Sequence, residues 1–252
     1  MKHLVFAAAI LTVSACATVR PNNFIDTEAR SSLSSIETIL IVKNSEIGTE
    51  INVSNVAAVT GGGLIPALVD AGINSDRTKR AEVAAGPIRD KLIDFDFAAE
   101  LEADLERELA EIEIDGISEI ELVRAELKDY RAGKVSGATA PAVMFIDSNY
   151  KLSPTMAHIV LAASVQIFPT LAELNAYKEK IDEDSKFEPS DNIFRNVYRS
   201  EVNLVEVTDG VELGALAAEM PIEDLVKAIS IASDKLAKMI AADLIIDDTY
   251  EK

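Results

Sequence analysis

The amino-acid sequence predicts an α+β fold, in which a largely antiparallel β-sheet packs against amphipathic helices. Residues 142–207 alternate apolar and polar side chains with a period of two, and their links are too short for parallel crossovers. Two other segments, residues 97–109 and 222–240, repeat apolar side chains at helical spacing. A mixed α/β arrangement is the alternative, because residues 36–42 are apolar enough for a strand buried on both faces.

The first sixteen residues have the composition of an export signal. Lys2 gives a basic start, residues 4–13 are almost wholly apolar, and small residues precede Cys16. This order is typical of a secretory signal peptide. An apolar run of about ten residues is too short to span a hydrocarbon core about 30 Å thick. The sequence therefore predicts a signal peptide over residues 1–15, with cleavage between Ala15 and Cys16.

The end of this segment, Val13-Ser14-Ala15-Cys16, resembles the lipobox of bacterial lipoproteins. The resemblance implies that Cys16 becomes the new N-terminus and carries lipid, with more than one acyl chain to hold it firmly in a membrane. Lipidation also accounts for the only cysteine of the chain, which would otherwise be an unpaired thiol in an exported protein. The following residue is Ala17 rather than aspartate, which implies the outer membrane, with the protein on its periplasmic face.

The composition of the mature chain indicates its division into segments and excludes one class of partner. Serine and asparagine dominate residues 16–35, so we expect a lipidated N-terminus and a flexible tether there, although Phe24 and Ile25 could dock on the domain. Residues 36–247 are expected to form a single globular α+β domain, and residues 248–252 a frayed tail. The chain has 43 acidic and 24 basic residues, a net charge of −19, which excludes nucleic acid as an expected partner.

The domain is predicted to begin with two strands and an uncharged turn. Residues 36–42 form a central strand, and residues 47–53 alternate cleanly enough to pair with it. Residues 51–69 then contain no charge, which is unusual in so acidic a chain. Their triplet of glycines indicates a turn into a helix over about residues 64–73, because glycine adopts positive φ at little cost.

The same turn is also a candidate interaction loop. An apolar exposed loop is typical of a surface that meets a partner or a membrane. A phosphate-binding loop is a third interpretation, but the P-loop and dinucleotide spacings are absent. The interaction hypothesis concerns five consecutive residues: Gly61, Gly62, Gly63, Leu64 and Ile65.

The helices that follow are predicted from caps and stripes. Asn74-Ser75-Asp76 indicates the start of a helix, and Gly86-Pro87 indicates its interruption. Asp96 is the predicted cap of a further helix, whose Glu and Asp residues form a solvated face. A closing helix begins at Pro221. The apolar stripes of these last two helices are predicted to be buried: Phe97, Leu101, Leu105 and Leu109, and Ile222, Leu225, Val226, Ile229, Leu236, Met239 and Ile240.

Four further strands are predicted, over residues 117–123, 142–150, 156–168 and 193–207. A loop of small residues is expected over 133–140. The last three strands should form an antiparallel meander with one face on the core.

The processed chain would contain few of the side chains that catalysis usually requires. It would keep one histidine, His158, and one acylated cysteine, so neither a Ser-His-Asp arrangement nor a zinc site is predicted. Carboxylate pairs such as Asp94 with Asp96, or Glu188 with Asp191, are too common in an acidic chain to indicate a hydrolase by themselves. No catalytic residue, metal or cofactor is expected.

The sequence thus predicts an envelope-anchored bacterial lipoprotein whose periplasmic domain is non-enzymatic and acts through contacts with a partner protein of the envelope. One alternative is a subunit of an envelope transport or secretion assembly, with the glycine-rich loop facing a membrane or partner. A carboxylate-dependent periplasmic hydrolase is the other. The order of elements is loosely similar to that of small α/β lipoproteins such as penicillin-binding-protein activators and secretion-pore lipoproteins, without a motif that assigns residues.

Overall fold

The structure is a computed structural model of the whole chain, and it describes residues 25, 27–54, 64–124, 130–177, 192–204 and 213–244. The signal peptide, the cleavage site at Ala15 and Cys16, and the tail 248–252 lie outside these residues.

The described residues form six strands, six α-helices and one 3₁₀ helix. The strands are β1 (Ile36–Val42), β2 (Gly48–Thr49), β3 (Ile120–Val123), β4 (Ala142–Leu152), β5 (His158–Pro169) and β6 (Phe194–Asn203). The helices are α1 (Thr27–Ser31), α2 (Leu64–Lys91), α3 (Phe97–Leu109), α4 (Tyr130–Gly137), α5 (Leu213–Glu219) and α6 (Ile222–Leu244), with the 3₁₀ helix over Ala172–Tyr177.

The strands form one mixed, mostly antiparallel sheet with helices packed against it, which confirms the predicted α+β class. Their order is β3-β1-β4-β5-β6, and β2 pairs with the end of β4. β1 lies between β3 and β4 and is parallel to both, whereas β4, β5 and β6 are antiparallel. The predicted central strand and the predicted meander are therefore both present.

One strand pairing was predicted wrongly. The segment after β1 does not pair with β1; its Gly48 and Thr49 pair in parallel with Lys151 and Leu152 of β4. β1 cannot accept it because both edges of β1 are already occupied, by β3 and by β4.

The main core lies between one face of the sheet and helices α3 and α6. The predicted cap of α3 is confirmed, since Asp96 accepts a hydrogen bond from the backbone N–H of Ala99 at 3.1 Å. The α3 stripe is buried as predicted, and its Phe97 ring stacks on Tyr150 of β4 with centroids 4.1 Å apart. In the α6 stripe, Ile222 and Met239 are instead exposed, because they lie away from the face that meets the sheet.

A smaller apolar cluster lies on the opposite face, under α4. It contains Ile39 and Ile41 of β1 with Val143 and Phe145 of β4. The predicted loop over residues 133–140 is wrong for its first half, because α4 continues to Gly137. Partly buried Tyr130 and Val135 pack this helix onto the cluster, so packing overrides the low helix propensity of its glycines.

The folded domain begins earlier than predicted. Ile25, Ala29 and Leu33 are all buried in the main core, and α1 lies between Ile25 and Leu33. Residues 27–35 therefore belong to the domain rather than to a flexible tether. Their spacing of four places all three apolar side chains on one side of the segment, a pattern too short to predict a helix from sequence.

Helix α2 is also longer than predicted. It runs without a break through Asn74-Ser75-Asp76 and through Gly86 and Pro87. Proline normally ends a helix because it lacks an N–H. Here Ala85 and Ile88 are fully buried on either side of Pro87, and this packing holds the helix through to Lys91.

The predicted strand over residues 117–123 is shorter than expected. A turn occupies residues 116–118, and Gly116 has φ of +71°. A Cβ atom at Gly116 would lie 3.0 Å from the carbonyl oxygen of Ile36, so this close approach requires glycine and delays the strand to Ile120.

Candidate interaction surface

The structure places part of the predicted interaction loop at the start of α2. Leu64 and Ile65 are the first two residues of that helix. Gly61, Gly62 and Gly63 lie outside the described residues. The loop is therefore joined to a helix of 28 residues, which at 1.5 Å per residue is about 42 Å long.

Most of α2 is not packed into the domain. None of residues 69–84 is buried, and burial begins only at Ala85. Val69 is 46% exposed and Val83 is 79% exposed. A helix in water gains most of its stability from an apolar face against the core, whereas in this part of α2 only the partly buried Ala81 packs against the core.

Polar contacts hold this part of α2 to the segment that follows β2. The Ser54 hydroxyl donates to Asp70 Oδ1 at 2.6 Å, and the Ser54 N–H donates to Asn74 Oδ1 at 2.7 Å. Further along, Arg77 donates to the carbonyl of Asn52. The extended segment thus runs along the helix toward the helix N-terminus. We call residues 48–54 and 64–84 together the arm.

The base of the arm is fixed by charged groups. Arg89 donates through Nε to the carbonyl of Ile47 at 2.8 Å and pairs with Glu82. Thr49 also donates to Glu82, at 2.7 Å. The hydrogen bonds from Arg89 and Thr49 hold the pKa of Glu82 below its ordinary value, so Glu82 stays ionised at neutral pH. Lys91 donates to the carbonyls of Ala218 and Met220, which ties the end of α2 to α5.

The arm leaves the sheet at the end remote from the N-terminal helix. β1 begins at Ile36, opposite Ala142, the first residue of β4. β2 ends at Thr49, opposite Leu152, the last residue of β4. β4 has 11 residues and so is about 36 Å long. Residues 50–54 continue from that far end, and α1 precedes the near end.

The surface chemistry of the arm differs from that of the rest of the chain. Residues 51–69 carry no charge, and Val53 is 70% exposed within them. Isolated exposed apolar residues are normal, but the exposed Val53 and Val69 both belong to this uncharged segment, and none of its residues with a described exposure, 51–54 and 69, is buried. The uncharged part of the arm among the described residues, 51–54 with Val69, is therefore suited to contact with another molecule.

His158 lies at the first position of β5, and its side chain is 25% exposed. Its Nδ1 is 3.4 Å from the Ser153 hydroxyl and 3.5 Å from Glu201 Oε1. A catalytic triad needs serine and carboxylate at different ring nitrogens. Both neighbours share Nδ1 here, so the geometry is not that of a triad. The pairing of β5 with β6 brings Glu201 close, although no acid is close in sequence.

The carboxylates considered for hydrolysis are hydrogen-bonded to arginine, exposed, or outside the described residues. Arg124 donates to both Asp96 oxygens, at 2.9 and 2.7 Å, and this hydrogen bonding lowers the pKa of Asp96. A general acid requires the opposite shift. Asp94 is exposed, while Glu188 and Asp191 lie outside the described residues.

Sequence reasoning missed that α2 forms an arm. The signal was present, because residues 69–84 show no apolar stripe, but the candidate cap at Asn74 and the proline at position 87 indicated two short helices instead. In the described part of the chain, no group of three or more His, Cys, Asp or Glu side chains could hold a metal ion. No helix among the described residues is long and apolar enough to cross a membrane. Comparison of the chain with protein-family models, curated proteins and solved structures gives no match.

Proposed function

We propose that this protein is an envelope-anchored bacterial lipoprotein, lipidated at Cys16, whose domain binds a protein partner through the arm. The lipobox-like sequence Val13-Ser14-Ala15-Cys16 supports the anchor. One structural observation carries the binding role: residues 69–84 of α2 form a helix of which no residue is buried. A long helix that adds little to the core is best explained by contacts with another molecule.

The same observation also favours the second candidate, a subunit of an envelope transport or secretion assembly. Such a subunit needs an element that reaches beyond its own domain, and the described ends of the uncharged segment, residues 51–54 and 64–69, lie at the outer part of the arm. The identity of the partner separates the two candidates, because the second requires a membrane-spanning or pore-forming protein.

The binding role is tested by photo-crosslinking in intact cells. A photoreactive residue is placed at Val69 or Val83 on α2, with Ile93 as the matched control. Val83 and Ile93 are both apolar and both 79% exposed, but only Val83 lies on the arm. We expect one discrete product from Val69 and Val83 and none from Ile93. Equal products from all three positions, or no product from the arm, would contradict the role.

A further inference from the structure

Strand β6 is an edge of the sheet in the part of the chain that the structure describes. Among the described residues β6 pairs only with β5, along ten consecutive residue pairs. An edge strand of ten residues leaves a row of backbone N–H and C=O groups available to another strand. Glu50 of the arm contacts Arg199 of this strand, but the backbone groups of the edge play no part in the binding role proposed above.

The hydrogen-bonding pattern shows which residues face the open edge. In an antiparallel pair, the backbone groups of alternate residues point toward the partner strand and away from it. The N–H of Leu204 donates to Ala157 at 2.7 Å, so even-numbered residues of β6 face β5. The N–H of Val197 accordingly points away from β5, and it donates to the Asn196 side chain at 2.8 Å.

The side chains at these edge positions carry complementary charges. Arg195, Val197, Arg199 and Glu201 are exposed and share the sheet face opposite α6. Arg195 makes no ion pair with any described residue, although the chain carries a net charge of −19. Arg199 is already held by Glu50, through two hydrogen bonds of 2.9 and 3.1 Å. Arg195 is therefore the cation of this edge that has no counterion among the described residues.

We propose that two copies of this chain pair through β6, antiparallel, in the register centred on Tyr198. In this register Arg195 of each copy lies opposite Glu201 of the other, so the symmetry gives two arginine–glutamate pairs. Opposite residues on neighbouring strands have Cβ atoms about 5 Å apart, close enough for these side chains to pair.

Neighbouring registers fit less well. A register centred on Arg199 places Arg199 opposite Arg199 of the other copy. A register centred on Val197 places Arg195 opposite Arg199. Like charges directly opposite one another are destabilising. In the register centred on Tyr198, the Val197 N–H would donate to the Arg199 carbonyl of the second copy. This hydrogen bond replaces the one to the Asn196 side chain. An isologous contact of this kind closes on itself and ends at a dimer.

Sedimentation velocity of the purified full-length chain over a concentration series tests the proposal. We expect a dimer for the wild type, and dissociation constants raised about tenfold by Arg195→Glu or by Glu201→Arg, since each change puts two like-charge pairs in the interface. An equimolar mixture of the two variants should associate as tightly as the wild type, because both interfacial pairs are then opposite in charge. The double variant should do the same for the same reason.

The control is Arg80→Glu, which changes the net charge equally at an exposed position of α2. It should leave the dimer unchanged. Circular dichroism checks that each variant is folded, which is expected because Arg195 and Glu201 are exposed. A monomeric wild type, single variants that dimerise normally, or a mixture that fails to recover association would each overturn the proposal.

Discussion

At the scale of single residues, Asp96 joins two elements through one carboxylate. It caps α3 by accepting a hydrogen bond from the Ala99 N–H. It also accepts hydrogen bonds from Nη1 and Nη2 of Arg124, which follows β3. A cap supplies an acceptor for one of the backbone donors that a helix N-terminus leaves unpaired. Both side chains of the ion pair are about half exposed, so the pair contributes little to the stability of the fold. The helix cap is the larger contribution.

We expect Asp96→Ala to lower the free energy of unfolding by about 1–2 kcal/mol, because the capping acceptor is lost. Asp96→Asn keeps an acceptor and should cost less. Since hydrogen bonding from Arg124 lowers the folded-state pKa of Asp96, its ionised form stabilises the fold above pH 3.8, the ordinary value, and this contribution is lost as the pH falls through the folded-state pKa. Urea unfolding at pH 7 and pH 3 measures both effects. If the difference in unfolding free energy between wild type and Asp96→Asn is the same at pH 7 and pH 3, the ionised Asp96 carboxylate does not stabilise the fold.

At the scale of elements, α2 combines two kinds of helix. Its last turns are packed, with Ala85 and Ile88 fully buried, while residues 69–84 rest on polar contacts to residues 48–54. Local unfolding is cheapest where few apolar contacts are lost. The outer part of the arm can therefore open without unfolding the domain, which suits an element that must adjust to a partner.

Substitution within α2 should show this division. We expect Ile88→Ala to cost about 2–5 kcal/mol of unfolding free energy, because it leaves a cavity in the core. Val83→Ala removes a side chain that is 79% exposed and should change stability by less than about 0.5 kcal/mol. Denaturant unfolding of the two variants makes the comparison. Equal losses would mean that residues 69–84 are packed after all.

At the scale of the whole molecule, the described chain begins beside the end of the sheet that is remote from the arm. The described chain enters the core at Ile25, next to the end where β1 and β4 begin. Only eight residues lie between Cys16 and Ile25, so the nine Cα–Cα steps that join them reach about 30 Å at most. The anchor would therefore hold the near end of the domain close to the membrane and leave the arm free to point away from it.

The anchor itself makes a prediction. We expect mass spectrometry of the native protein to find residue 16 at the N-terminus with acyl chains attached, and Cys16→Ser to move the protein from the membrane fraction to the soluble periplasmic fraction, because no acyl chain then binds the bilayer. A native protein that keeps Met1, or a bare Cys16, would remove the basis for the anchor. The crosslinking at Val69 and Val83 would still report on the arm.

Much of the local structure could be predicted from the sequence. The alternation in β4, β5 and β6 and the stripe and cap of α3 depend on neighbouring residues, so periodicity reveals them. The arm could not be predicted in the same way. Its helix crosses Pro87 only because Ala85 and Ile88 meet a core built from distant parts of the chain.

By itself, the sequence determined the α+β class, the antiparallel meander and the uncharged character of residues 51–69, since composition and period are local properties. Only the tertiary structure decided that β1 lies between β3 and β4, that β2 pairs with β4, that Ile25 belongs to the core and that residues 69–84 of α2 are not buried. Each of these depends on which of several compatible surfaces a segment meets. That choice is made by the burial and hydrogen bonding of residues far apart in the chain, which no local pattern records.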